Sequence, residues 1–140
     1  MGYKSPNKLS IFVGGASFSP VDATTYYFSA FPASTPSTTI LGHQIAVPQN
    51  GIIASAIITI FSGTAAGTNE AWEIYVRVND TTDYLIASVS AAASNRFWRN
   101  NSLSIPITTS DFFCIKMICP TWATNPDGCR VMGTIGVNIE

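Results

Sequence analysis

Residues 71–79 read Ala71-Trp72-Glu73-Ile74-Tyr75-Val76-Arg77-Val78-Asn79. Trp72, Ile74, Val76 and Val78 alternate with Glu73, Tyr75, Arg77 and Asn79, a period of two that gives a strand one dry face and one mixed face. The alternation returns at the end of the sequence, where Val131, Gly133, Ile135, Val137 and Ile139 are interleaved with Met132, Thr134, Gly136 and Asn138. No stretch of helical length carries an amphipathic stripe. The expected fold class is therefore all-β.

Outward from these two strands, β-branched and aromatic runs between turn residues predict the others. They are Leu9–Val13, Thr25–Phe31, Ile40–Val47, Ile52–Ser62, Tyr84–Ser90, Phe97–Ile105 and Phe112–Cys119. The separators suit chain reversal: Pro48-Gln49-Asn50-Gly51, the Gly63 to Gly67 stretch, Asn79 to Asp83, and Asn125-Pro126-Asp127-Gly128. Ala91-Ala92-Ala93 is too short to nucleate a helix and reads as a loop or bulge. Regular spacing without helices points to antiparallel sheets packed face to face, a β-sandwich over residues 23–140. Residues 1–22 read either as an arm that docks on another protein or as an edge strand of the sandwich.

The 140 residues fit one domain with its own core. Only 11% are charged, against about a quarter in a usual soluble domain, and from Ala23 through Asn69 there is no Asp, Glu, Lys or Arg. Two explanations compete: a sandwich wetted by hydroxyl groups, or an obligate oligomer whose copies hide uncharged faces from one another. Ile52–Ile60 and Phe112–Cys119 are apolar at both parities, which requires cover on both sides and favours the oligomer. A net charge of −1 gives no basic footprint for phosphate, so nucleic acid is not an expected partner. The run Leu9–Val13 is too short for a signal-peptide core or a bilayer span, so no membrane is expected.

The catalytic inventory is thin. His43 is the one histidine, no Gly-x-Ser-x-Gly elbow accompanies it, and it reads as a plain strand residue. Glu70 and Glu73 lie on opposite strand faces or at a strand mouth, while Asp80 and Asp83 belong to a hairpin turn that favours local Asx bonding. No enzyme is expected, and no metal or cofactor. Cys114, Cys119 and Cys129 are an odd set. Cys119 and Cys129 bracket one loop and could bridge, but three buried thiols are the preferred reading. Trp72 reads as core and Trp122 as a loop ring expected to be exposed. The candidate ligand-contact residues of the loops are Arg96, Trp98, Arg99, Trp122, Asn125 and Asp127, groups that could stack on or hydrogen-bond a sugar.

Thr25-Tyr26-Tyr27-Phe28, the stretch Asn69 to Asn79, Thr81-Thr82-Asp83-Tyr84-Leu85-Ile86-Ala87, Leu103 to Ile107 and Pro120-Thr121-Trp122-Ala123-Thr124-Asn125-Pro126 follow one another in order. This succession, which spans most of Thr25 to Glu140, resembles a module of tailed-phage virion proteins. The resemblance implies a jelly roll of the tumour-necrosis-factor type, assembled as a tight homotrimer on phage capsids or fibre heads. It implies a capsid decoration or cement (head-fibre) protein, built in the host cytoplasm and located in the virion. Its partners would be copies of itself and the major capsid protein or other virion proteins, with Met1–Pro20 touching the lattice. The short segment before the module favours decoration over a full tail fibre. The alternative it implies is the receptor-binding head of a tail fibre, contacting a host-surface glycan.

Overall fold

A computed structural model of the chain describes residues 7–30, 35–63, 71–89 and 95–140. The ends of the predicted strands at Phe31 and Ser90, the Ala91–Ala93 run, Glu70 and the first six residues lie outside that set. The chain is all-β among the described residues, with ten strands: β1 Asn7–Phe18, β2 Thr25–Ala30, β3 Ile45–Ala46, β4 Gly51–Phe61, β5 Trp72–Val78, β6 Thr82–Val89, β7 Asn95–Asn100, β8 Ile105–Ile107, β9 Phe112–Ile118 and β10 Cys129–Ile139.

All pairings are antiparallel. The strand order is β6-β5-β9-β2-β1-β10-β4-β7, with β3 added beside β9 and β8 beside β4. This sheet bends over at β1 and β2, which share only the Val13–Ala30 and Gly14–Ser29 pairs. One layer is β1-β10-β4-β7 and the other is β2-β9-β5-β6. At the far ends β6 and β7 approach each other, and Asn100 Nδ2 donates to the Ile86 carbonyl at 3.4 Å, so the sheet is nearly closed. The segment expected as an arm or edge strand thus supplies β1, which pairs with β10 from Asn7–Ile139 to Phe18–Cys129.

The period-two pattern sets the packing. Trp72, Ile74, Val76 and Val78 are buried between the layers with Ile53, Ile58, Ile60, Ile115, Met117, Ile135 and Val137. Trp72 of β5 and Trp98 of β7 meet edge to face across the layers, with centroids 5.3 Å apart and planes at 83°. The Trp98 indole N–H donates to the Trp72 carbonyl at 2.7 Å. A buried donor so satisfied avoids the penalty of an orphan polar group and ties β7 to β5.

Two predicted strands are corrected. Residues 40–44 form a turn instead of the start of a strand: His43 N donates to the Ile40 carbonyl at 3.0 Å, and Gly42 has φ +82°, which stops an extended run there. His43 is accordingly a buried turn residue. The single strand predicted over Phe97–Ile105 is two, β7 and β8. Asn100 Oδ1 accepts from Ser102 N at 2.8 Å, an Asx turn that competes with the ladder, and Leu103 N donates to the Ala54 carbonyl at 3.0 Å.

Candidate interaction face

The predicted loop residues do not gather at one exposed place. Trp122, expected to be exposed, is 5% exposed and packs edge to face on Trp72, with centroids 5.2 Å apart. Its loop is drawn inward because Trp122 N donates to Asp22 Oδ1 at 3.1 Å and Ala23 N to the Pro120 carbonyl at 3.1 Å. Trp98 is fully buried on the other side of Trp72. Arg96 is buried as well, its guanidinium carbon 5.6 Å from the Trp72 ring centroid, a cation–π contact that offsets part of its lost hydration. Burial lowers the Arg96 pKa from its ordinary value. Of the six, Arg99, Asn125 and Asp127 are exposed. Asp127 accepts from the Ser19 hydroxyl and from Gly128 N at 2.7 Å, bonds that hold its carboxyl below the usual range.

The three cysteines are free and buried, as preferred from the sequence. Burial pushes the Cys129 thiol up to about 11 against the pull of Arg96, and Cys114 up to about 12. Burial also raises Cys119, with Cys129 adding to the push. Thiols so raised stay protonated at neutral pH and are poor nucleophiles. Among the described residues no three His, Cys, Asp or Glu side chains gather as a metal site requires.

The two outer faces of the sandwich differ sharply in chemistry. Outside β9-β5-β6, Arg77 Nη1 donates to Asp83 at 2.8 Å and Arg77 Nε to Asp80 at 2.9 Å. Lys116 Nζ donates to the other Asp83 oxygen at 2.6 Å and lies 5.7 Å from the Tyr75 ring centroid. The Tyr75 hydroxyl donates to Glu73 at 2.8 Å. Beneath this network Cys114, at an outward parity, is fully buried.

Outside β1-β10-β4-β7 two cross-strand rows carry large exposed apolar side chains. One row runs Gly14–Met132–Thr59–Phe97 and the next Phe12–Thr134–Ile57–Arg99, with Arg130 beside Phe61 at the end. Phe12 is 69% exposed, Met132 64%, Phe97 57% and Phe61 49%. None of β1, β4, β7, β8 or β10 contains Asp or Glu, and the exposed charges are the cations Lys8, Arg99 and Arg130. Sequence reasoning pointed to β4 as needing cover on its second side. It missed Phe12, Phe97 and Met132, whose shared face follows only from the strand register. The signal that could have found them is the absence of carboxylates from β1, β4, β7 and β10 together.

No protein-family model matches this sequence, and no curated protein matches it.

Proposed function

We propose that the chain is a non-catalytic structural protein of a phage particle, a jelly-roll subunit that assembles as a homotrimer and binds the capsid shell as a decoration protein. The phage and capsid part of this reading rests on the resemblance carried by Thr25 to Glu140. The jelly-roll part is supported by the nested pairing of β1 with β10, β2 with β9, β4 with β7 and β5 with β6. Such nesting is what a long antiparallel hairpin gives when it is rolled up into two layers.

The observation that carries self-association is the apolar, carboxylate-free face of β1-β10-β4-β7. Full burial of a Phe or Met side chain contributes about 1.5–3 kcal/mol, so covering the four half-exposed ones contributes roughly 4–7 kcal/mol before association costs of about 4–15 kcal/mol. A single such contact is marginal. A closed ring makes as many interfaces as it has members while using one fewer association step, which favours a cyclic assembly over an open pair.

The direct test is the mass in solution at micromolar concentration. A trimeric mass supports the reading, and a single 15.0 kDa species overturns it. The decoration role is tested on particles lacking the chain: fragile particles that adsorb normally support it, whereas intact particles that fail to adsorb transfer the role to host-receptor binding.

A further inference from the structure

The polar end of the same face holds a groove of about 440 Å³ lined by Lys8, Ser10, Ser55, Asn101, Gly136 and Asn138 among others, a size within the usual range for small-molecule sites. Its floor is the row Ser10–Gly136–Ser55 and its next row begins Lys8–Asn138. Gly136 makes the space: a Cβ there would lie 2.4 Å from Ser55 Oγ. The ladder shifts register at this point, with Gly136 opposite Ser55 but Val137 opposite Ile53, a bulge of the kind that re-aims side chains beside functional sites. The Leu103 N–H bond to the bulged Ala54 carbonyl, 3.0 Å, fixes the turn that carries Asn101.

We propose that this groove binds a small hydroxylated carboxylate, of the chemical class of a uronic acid. The lining offers one ammonium group, two hydroxyls and two side-chain amides and no carboxylate, so an anion in the groove meets donors. Hydroxyls and amides both donate and accept, which matches the vicinal hydroxyls of a sugar. No aromatic ring lines the groove, so a neutral pyranose finds no stacking platform, and the Lys8 charge supplies the preference for an acid. The side chains of Lys8, Ser10, Ser55, Asn101 and Asn138 make no hydrogen bond to another described residue, which leaves their donors for a ligand. The site is complete within one copy and does not depend on self-association.

The test is titration of the isotopically labelled protein with glucuronate, its methyl glycoside, glucose and acetate, following the backbone amides of Ser10, Gly136 and Asn138 by NMR. The two uronates are expected to shift these amides at millimolar concentration, at least about tenfold more tightly than glucose, which lacks the charge-assisted hydrogen bond to Lys8, and than acetate, which lacks the hydroxyls that the Ser and Asn side chains would bond. Binding of the methyl glycoside as tight as that of the free acid identifies the acid as part of a glycan chain, whereas binding of the free acid alone identifies a free metabolite. Lys8→Gln should abolish the preference for the acid, and Asn101→Ala should weaken acid and glucose alike. Both the parent and a Phe97→Asp variant are titrated. Shifts in both, or in the variant alone because copies cover the groove, support the proposal. Shifts in neither, or glucose or acetate binding as tightly as glucuronate, overturn it.

Discussion

The outer face of β9-β5-β6 and the outer face of β1-β10-β4-β7 are built on the same backbone, with the same alternation, yet end in opposite states. On the first, Arg77, Lys116, Asp80, Asp83, Glu73 and Tyr75 satisfy one another and cover Cys114. On the second, Phe12, Phe61, Phe97 and Met132 stand out with cations and no carboxylate around them. A solvated monomer tolerates single exposed apolar groups, whereas larger contiguous apolar patches are typical of contact surfaces. The first face pairs charges of both signs, whereas the strands of the second, where another copy is proposed to lie, carry cations and no carboxylate.

Two adjacent residues of β7 test the contrast most strongly, because Trp98 points between the layers and Phe97 points out. Trp98→Ala removes a fully buried ring and its bond to the Trp72 carbonyl, and is expected to cost about 3–5 kcal/mol. Denaturant unfolding checks it at two protein concentrations, and the loss should be the same at both. Phe97→Asp should leave the stability of a single copy within about 0.5 kcal/mol while weakening association by about 2–3 kcal/mol, since an unpaired carboxylate would be buried in the contact. Sedimentation reads the second effect. A Phe97→Asp protein that unfolds like the Trp98 variant would erase the distinction between the two sides of β7.

The next effect lies on the charged face and is smaller. Burial alone would raise the Asp83 carboxyl, but hydrogen bonds from Lys116 and Arg77 outweigh it and hold the pKa below its ordinary 3.8. A carboxyl depressed in the folded state adds stability that is complete above the unfolded pKa and is lost as pH falls through the folded one. The melting temperature should therefore drop as pH falls from about 4 toward 2, and Asp83→Asn should flatten part of that drop. At neutral pH the same variant should cost less than about 1 kcal/mol, the range of partly exposed ion pairs. Association through the opposite face should not change at all, and a shift in the oligomer's mass on Asp83→Asn would show that the faces have been assigned the wrong way round.

Much of this architecture is legible in the sequence, and the missing parts have physical reasons. β5 and β10 follow from strict alternation, and the β5–β6 hairpin from Asn79 and Asp80, which both adopt positive φ (53° and 55°) as a tight hairpin turn requires. β3 and the β7–β8 break differ from expectation because apolar and aromatic residues stand on both sides of Gly42 and of Asn100, where local turn chemistry overrides the strand pattern. Trp122 was misplaced because its burial depends on Asp22, a hundred residues away in the chain. Alternation says that Met132 and Thr134 share a side of β10. Only the register with Phe12 and Thr59 says which neighbours share it, and no local pattern encodes that. The groove at Gly136 was equally hidden, since a glycine in a strand does not announce what its missing side chain leaves open.

The smallest effect isolates a single bond of the charged face. Burial first and then the hydrogen bond to Glu73 together raise the Tyr75 hydroxyl from 10.0 to about 12, the second because ionisation would place two anions side by side. Absorbance at the tyrosinate band should show a phenol that ionises only near pH 12. Glu73→Gln should bring it down only part of the way, because the first cause, burial under the Lys116 side of the network, is untouched. Stability at neutral pH should change by less than about 0.5 kcal/mol, as for other surface substitutions. A complete return to 10 would mean that Tyr75 is held by Glu73 alone and that the face is less enclosed than its ion pairs imply. No return would mean that the phenol is fixed by packing, which would make the two faces differ in charge but not in how firmly their side chains are held.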